Sequence, residues 1–158
     1  MSEDFLHVLL YLFDNYQLPD LMACDDLDGL LDELHYAGFE QNISLNAVEW
    51  LQGIKHTEQT MSDGSVLNNQ SLRVFNEIEN LKISTEARGF ILFLEQHGFI
   101  DAMIRELIID RAMALETAPI LLVEIRCIAN MVLSRTRTPE SNLSLIADWL
   151  INEKETLH

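Results

Sequence analysis

Apolar positions recur with a helical period along most of this chain. Residues 3–16 place Phe5, Val8, Leu9, Leu12 and Tyr16 on one face, and Leu6, Leu10 and Phe13 widen it until His7 and Tyr11 are almost the only interruptions. That pattern predicts a mostly buried helix. After Pro19 a second helix carries Leu27, Leu30, Leu31 and Leu34. Asp25 and Asp26 open it as cap and first-turn acids, and Gly38 stops it at C′. A third helix is predicted from Ser44 as N-cap, with Ile43 and Val48 as a hydrophobic staple, through Trp50, Leu51 and Ile54.

Residues 56–70 lack periodicity, are rich in Ser, Asn, Thr and Gln, and contain Asp63-Gly64, so they read as a loop or linker. Behind them Leu72 and Val74 alternate with Arg73 and Phe75, the pattern of one short strand. Helices then resume. Ser84 or Thr85 caps one with Ala87, Phe90, Ile91 and Leu94, ending at Gly98, and Asp101 opens another with Ile104, Leu107, Ile108 and Leu115. Thr117 and Pro119 start the most apolar helix, residues 120–133, expected at the centre of the core, and Thr138 with Pro139 at N1 starts a last one. The fold class is therefore mainly α, a single-domain bundle of about seven helices. Its parts are an acidic three-helix subdomain (1–55), the linker (56–70), and a strand element with a four-helix subdomain (71–158). Three helices followed by a strand also give the first half a winged-helix-like order.

Two stretches look alike: Leu34, Gly38, Phe39 and Ile43 recur as Leu94, Gly98, Phe99 and Met103. Two helices that each end in a Schellman corner produce this likeness, and two units are fewer than a solenoid needs.

Charge narrows the partners. The 158 residues hold 10 Lys+Arg against 26 Asp+Glu, a net −16. Residues 1–54 contain acids but no Lys or Arg, the first base being Lys55. Such a surface repels phosphate backbones and anionic headgroups, so the expected partner is a protein, with neither nucleic acid nor membrane favoured. Glu3 and Asp4 stand where a signal peptide would have bases, and no segment reaches the ~18 apolar residues of a membrane span. Cys24 and Cys127 sit in unrelated contexts, as in a reducing compartment, and the expected location is the cytoplasm.

Catalytic and metal patterns are weak. The run from Cys24 to Gly29 has EF-hand-like acids at positions 3 and 5 and glycine at 6, but Cys24 and His35 occupy positions 1 and 12, where calcium needs oxygen ligands. The five histidines show no HxxxH spacing, and no GxSxG, P-loop or GxGxxG is present. Neither enzyme activity nor a cofactor is expected. Arg111 breaks the local rule: with Ile104, Ile108 and Leu115 it falls on a buried face, while Glu124 shares a face with Ile120 and Cys127. Because buried charge must be paired, an Arg111–Glu124 ion pair is expected.

Several segments together resemble a known family: residues 8–16 (VLLYLFDNY), Ala37-Gly38-Phe39 with Trp50-Leu51 behind it, Arg73-Val74-Phe75, and residues 88–96 (RGFILFLEQ). With Arg105-Glu106, Ile109-Asp110-Arg111, Met113-Ala114-Leu115 and Met131-Val132-Leu133, the chain is similar to bacterial Smg proteins over nearly its whole length. The resemblance implies a small cytoplasmic bacterial protein and carries over no catalytic residue. Where the usual pattern has Lys-Trp, this chain reads Arg126-Cys127. The expected function is a non-enzymatic protein-interaction module, with a winged-helix-like nucleic-acid-associated protein as the alternative. Arg73, Phe75, Arg88, Phe90 and Phe93 are the candidate partner-binding residues, since Phe90 and Phe93 exceed what one helix face needs.

Overall fold

The leucine and valine stripe of the first helix is buried as its spacing predicts, Val8, Leu9 and Leu12 being wholly inaccessible to solvent. The computed structural model describes residues 3–16, 20–21, 25–63 and 73–136. Among them are seven α-helices: α1 (Glu3–Asn15), α2 (Leu27–Tyr36), α3 (Gln41–Asp63), α4 (Glu77–Lys82), α5 (Thr85–Gln96), α6 (Ala102–Met113) and α7 (Leu122–Thr136). The helix expected from Thr138 lies outside the described residues.

Helix ends follow side-chain chemistry. Asp26 accepts the Gly29 N–H at 3.0 Å to start α2, Ser84 accepts that of Ala87 to start α5, and Asp101 accepts that of Ile104 at 2.8 Å to start α6. The two glycine corners share one geometry. Gly38 and Gly98 have φ of 98° and 74°, their N–H groups reach His35 and Glu95, and Phe39 and Phe99 donate back to Leu34 and Leu94. These are paired Schellman bonds, which explains the sequence likeness without a repeat.

Five expectations are corrected. The third helix starts at Gln41, directly after the Gly38 corner, so Ser44 is a buried interior residue and not a cap. That helix also continues through Asp63, so the expected linker is helical in its first half, and 64–70 lie outside the described residues. Residues 73–76 form no strand, and Leu72 is outside the described residues. Instead, the extended pairing is a parallel bridge between Ile83 and Ile120, with Ile120 N–H on the Lys82 carbonyl (2.7 Å) and Ser84 N–H on that of Ile120 (2.9 Å). Ile120 therefore precedes α7 instead of belonging to it.

One hydrophobic core draws on every helix except the short α4. Within it α3 packs on α1, α2 and α6, and α7 packs on α5 and α6, so the α3–α6 contact joins the acidic first half to the second.

Arg111 makes that contact, and its expected partner is the fifth correction. Its guanidinium turns toward α3: Nη1 donates to the Trp50 carbonyl (3.2 Å), Nη2 to Thr57 Oγ1 (3.2 Å) and to Asp110 (2.7 Å), and Nε also to Asp110 (3.0 Å). Trp50 replies by donating its indole N–H to the Arg111 carbonyl at 3.0 Å. Glu124 is used elsewhere. At the third position of α7 it accepts the Leu121 N–H at 2.6 Å, the backward half of a capping box, and so is turned to its own helix start.

Gly53 makes the approach to Trp50 feasible, since a Cβ built there would stand 2.0 Å from Arg111 Nη1. Alanine normally gains ~1 kcal/mol over glycine inside a helix, but displacing two bonds from a charged donor costs ~1.5–3 kcal/mol each. Gly53→Ala is therefore expected to lower stability in urea titration, and to raise it when Arg111 is already alanine. The same sign in both backgrounds would refute the interlock.

Candidate docking surface and its charged support

Residues 73–76 lead into α4, and Arg73 anchors them. Its Nη1 and Nη2 donate to the two carboxylate oxygens of Glu79 at 3.0 and 2.8 Å, and its Nε donates to Glu106 at 2.8 Å. Arg105 shares Glu106 (2.9 Å) and also bonds Glu95 at 2.5 Å. Five charged side chains thus tie α4, α5 and α6 together. Glu79 also starts its own helix. Its carboxylate accepts the Asn76 N–H at 2.9 Å while Asn76 Oδ1 accepts that of Glu79 at 2.9 Å, a complete capping box at the start of α4.

Burial makes this framework demanding. Glu79 and Arg105 are each 7% exposed, a depth at which an unpaired charge would be costly. The Arg73 hydrogen bonds outweigh that burial and hold the Glu79 carboxyl below its ordinary 4.5. Arg73, bonded to Glu79 and then Glu106, is in turn held more firmly protonated than a free guanidinium.

Three of the sequence-predicted residues meet on this support. The guanidinium groups of Arg73 (5.3 Å) and Arg88 (5.8 Å) both stand over the Phe75 ring, a double cation–π arrangement. Arg88 is fixed by the Ile83 carbonyl, Thr85 and Asn80. The other two lie apart. Phe90 is buried, with Arg126 over its ring at 5.6 Å, so it packs the core and offers nothing outward. Phe93 is half-buried on the same helix, its ring tilted at 34° to that of His97 with centroids 4.0 Å apart, and near Phe99.

Sequence reasoning missed α4, and with it Ile78 and Leu81, which are 68% and 83% exposed, and it placed Val74, 78% exposed, in a strand. The signal was present: Asn76-x-x-Glu79 is a capping-box spacing, and Ile78 and Leu81 stand three residues apart on one face. No group of three His, Cys, Asp or Glu among the described residues is placed to hold a metal ion. None of the described helices is long and apolar enough to cross a membrane.

Fold and surface together define an all-helical protein, as far as its described residues go, with a charge-braced helix that turns aliphatic side chains outward. The chain belongs to the bacterial Smg family, described as protein of unknown function (DUF494), whose model matches residues 5–158. It is 38% identical to a protein Smg homolog of Nitrosococcus oceani over 157 residues, covering 99% of both chains. It is 36% identical to that of Alkalilimnicola ehrlichii over 152 residues (96% of both) and 35% to that of Stenotrophomonas maltophilia over 159 residues (100% of both). No solved structure matches.

Arg73→Met strands the Glu79 carboxylate, while Glu106 keeps Arg105, and is expected to cost about 3 kcal/mol in urea titration. Because the folded-state pKa of Glu79 is depressed, its contribution is full above 4.5 and is lost as pH falls through the lower folded value. The stability of Arg73→Met should accordingly fall less steeply than wild type below that pH. Parallel curves would mean that Arg73 does not hold Glu79.

Proposed function

We propose that the protein is a non-enzymatic protein-interaction module of the bacterial cytoplasm, and that α4 with its lead-in is the docking surface. The observation that carries this reading is the combination of exposure and rigidity: Ile78 and Leu81 stand in solvent on a helix braced by buried ion pairs, and Val74 stands in solvent on its lead-in. A helix held only for its own packing would turn such side chains inward. The occupant this surface fits is the apolar stripe of a partner helix laid along α4, with Phe75 and its two arginines at one end.

Magnitudes set the size of the contact. Full burial of three aliphatic side chains contributes ~1.5–3 kcal/mol each, while association itself costs ~4–15 kcal/mol. The aliphatic trio alone gives weak binding, so the partner must also cover the flat, rigid Phe75 site, whose arginines are already ordered and cost little further entropy.

The test is quantitative affinity purification from the native bacterium with wild type and Ile78→Glu/Leu81→Glu side by side. Loss of a defined set of captured proteins, at unchanged far-ultraviolet spectrum and melting temperature, is the expected result. An unchanged set would sink the docking reading, and so would a melting temperature lowered by several degrees, which would show that the face is packed within the chain.

The nucleic-acid alternative has less support. Asn42, Asn46 and Gln59 are exposed on α3, but Lys55 is the only Lys or Arg of that helix. Repulsion from the acidic first half should exceed a few polar contacts. No binding to duplex DNA is expected in a low-salt shift assay. Micromolar, salt-sensitive binding would move the assignment to the alternative.

A further inference from the structure

A cleft of about 510 Å³ opens on another part of the surface, between the start of α1 (Phe5), the first half of α3 (Ile43, Asn46, Glu49, Trp50) and the 114–117 segment after α6. Its volume lies in the range of sites that enclose a ligand group or a side chain, ~300–1,000 Å³.

The walls are preorganised. Phe5 and Trp50 meet edge to face, ring centroids 6.5 Å apart at 87°, and the indole cannot turn because its N–H is held by the Arg111 carbonyl. The opposite wall is fixed by Lys82, whose ammonium donates to the carbonyls of Met113 (2.7 Å) and Leu115. An aromatic pair with one locked indole is a surface that attracts a cation through the ring quadrupole.

Charge selects the guest. Three charged residues line the cleft: Arg111, Glu49 and Glu116. All three guanidinium nitrogens of Arg111 already donate, and its charge is matched by Asp110 at 2.7 Å, so it is poorly placed to receive an anion. Glu49 and Glu116 are both exposed and leave the cleft net negative. Ile43 and Leu115 add aliphatic surface for the stem that carries the cation.

We propose that this cleft receives an arginine or lysine side chain, flanked by apolar residues, from a segment of a protein partner. The inference rests on the reading of the protein as an interaction module but not on the α4 face. It assigns the partner a basic residue to meet the acidic first half of this chain.

The experiment is a titration of the full chain, 15N-labelled and carrying Trp149→Phe so that Trp50 supplies the single indole signal. The probe is the peptide acetyl-Leu-Arg-Leu-amide, with acetyl-Leu-Gln-Leu-amide as control. The Trp50 indole N–H should shift with the arginine peptide, at an affinity at least tenfold above the glutamine peptide, and the affinity should fall with added salt. Glu49→Gln/Glu116→Gln, two exposed changes that leave the fold intact, should weaken binding at least tenfold. Ile78→Glu/Leu81→Glu should leave it unchanged, which separates failure of the cleft from failure of the α4 surface.

Equal affinity for the two peptides, indifference to the glutamine substitutions, loss of binding in the α4 variant, or no indole shift at millimolar peptide would each overturn the assignment. So would n-butylguanidinium binding as tightly as the peptide, because a free small cation would then suffice without a partner segment.

Discussion

The structure depends on one close approach, the guanidinium of Arg111 lying against the backbone of α3 at Gly53. Hydrophobic burial alone would let α3 and α6 slide or rotate, since aliphatic contact is non-directional. The reciprocal bonds between Arg111 and Trp50, 61 residues apart, remove that freedom by requiring one axial register. Thr57 and Asp110 add a further cross-link at 3.1 Å, so the same two helices are fixed at a second point about two turns farther along α3. The acidic first half and the mixed-charge second half thereby share one core and one geometry.

A similar logic holds around Arg73. Buried ion pairs are poor sources of net stability, because desolvation consumes most of what the attraction returns. They are effective at excluding alternatives: α4 is six residues long, too short to persist alone, and contributes no hydrophobic side chain to the central core. Its position comes from Glu79 paired with Arg73 at 2.8 Å and from the bridge of Ile83 to Ile120. That is how Ile78 and Leu81 can remain outward without the helix turning over to bury them.

Helices with a long apolar stripe and a polar cap were legible in the sequence: the starts at Asp26, Ser84 and Asp101 and the stops at Gly38 and Gly98 follow from local chemistry that tertiary contacts did not override. What was hidden depends on partners distant in sequence. Residues 56–63 look like a loop by composition, yet Thr57 is buried on α6 through Asp110 and Arg111, and Met61 packs against the core, so the helix continues. The spacing marks Arg111 as buried and it is half-buried against α3, but helical spacing gives the face a residue occupies and not which neighbour lies across it. Glu124 illustrates the competing demand: a carboxylate three residues into a helix is also the natural acceptor for an orphan N–H at that helix start. Of the candidate surface, Arg73, Phe75 and Arg88 were identified by type and position. Val74 reads as a strand residue by its alternation with Arg73 and Phe75, and Ile78 and Leu81 were missed because a six-residue helix shows too little periodicity to stand out.

The α4 surface and the aromatic cleft are mechanically one piece. Lys82 ends α4, and its ammonium holds the carbonyls that close α6 and form one wall of the cleft. The next residue, Ile83, pairs with Ile120, which ends the same connecting segment. The two surfaces are therefore separated by hydrogen-bonded backbone and not by a flexible loop, and their spacing is set by the fold. A partner that reached both would meet the second contact already positioned, so its gain would depend on matching a fixed distance and not on ordering this chain. Such an arrangement favours a partner that is itself rigid over that span. A loosely tethered pair of motifs would lose part of the advantage to its own chain entropy.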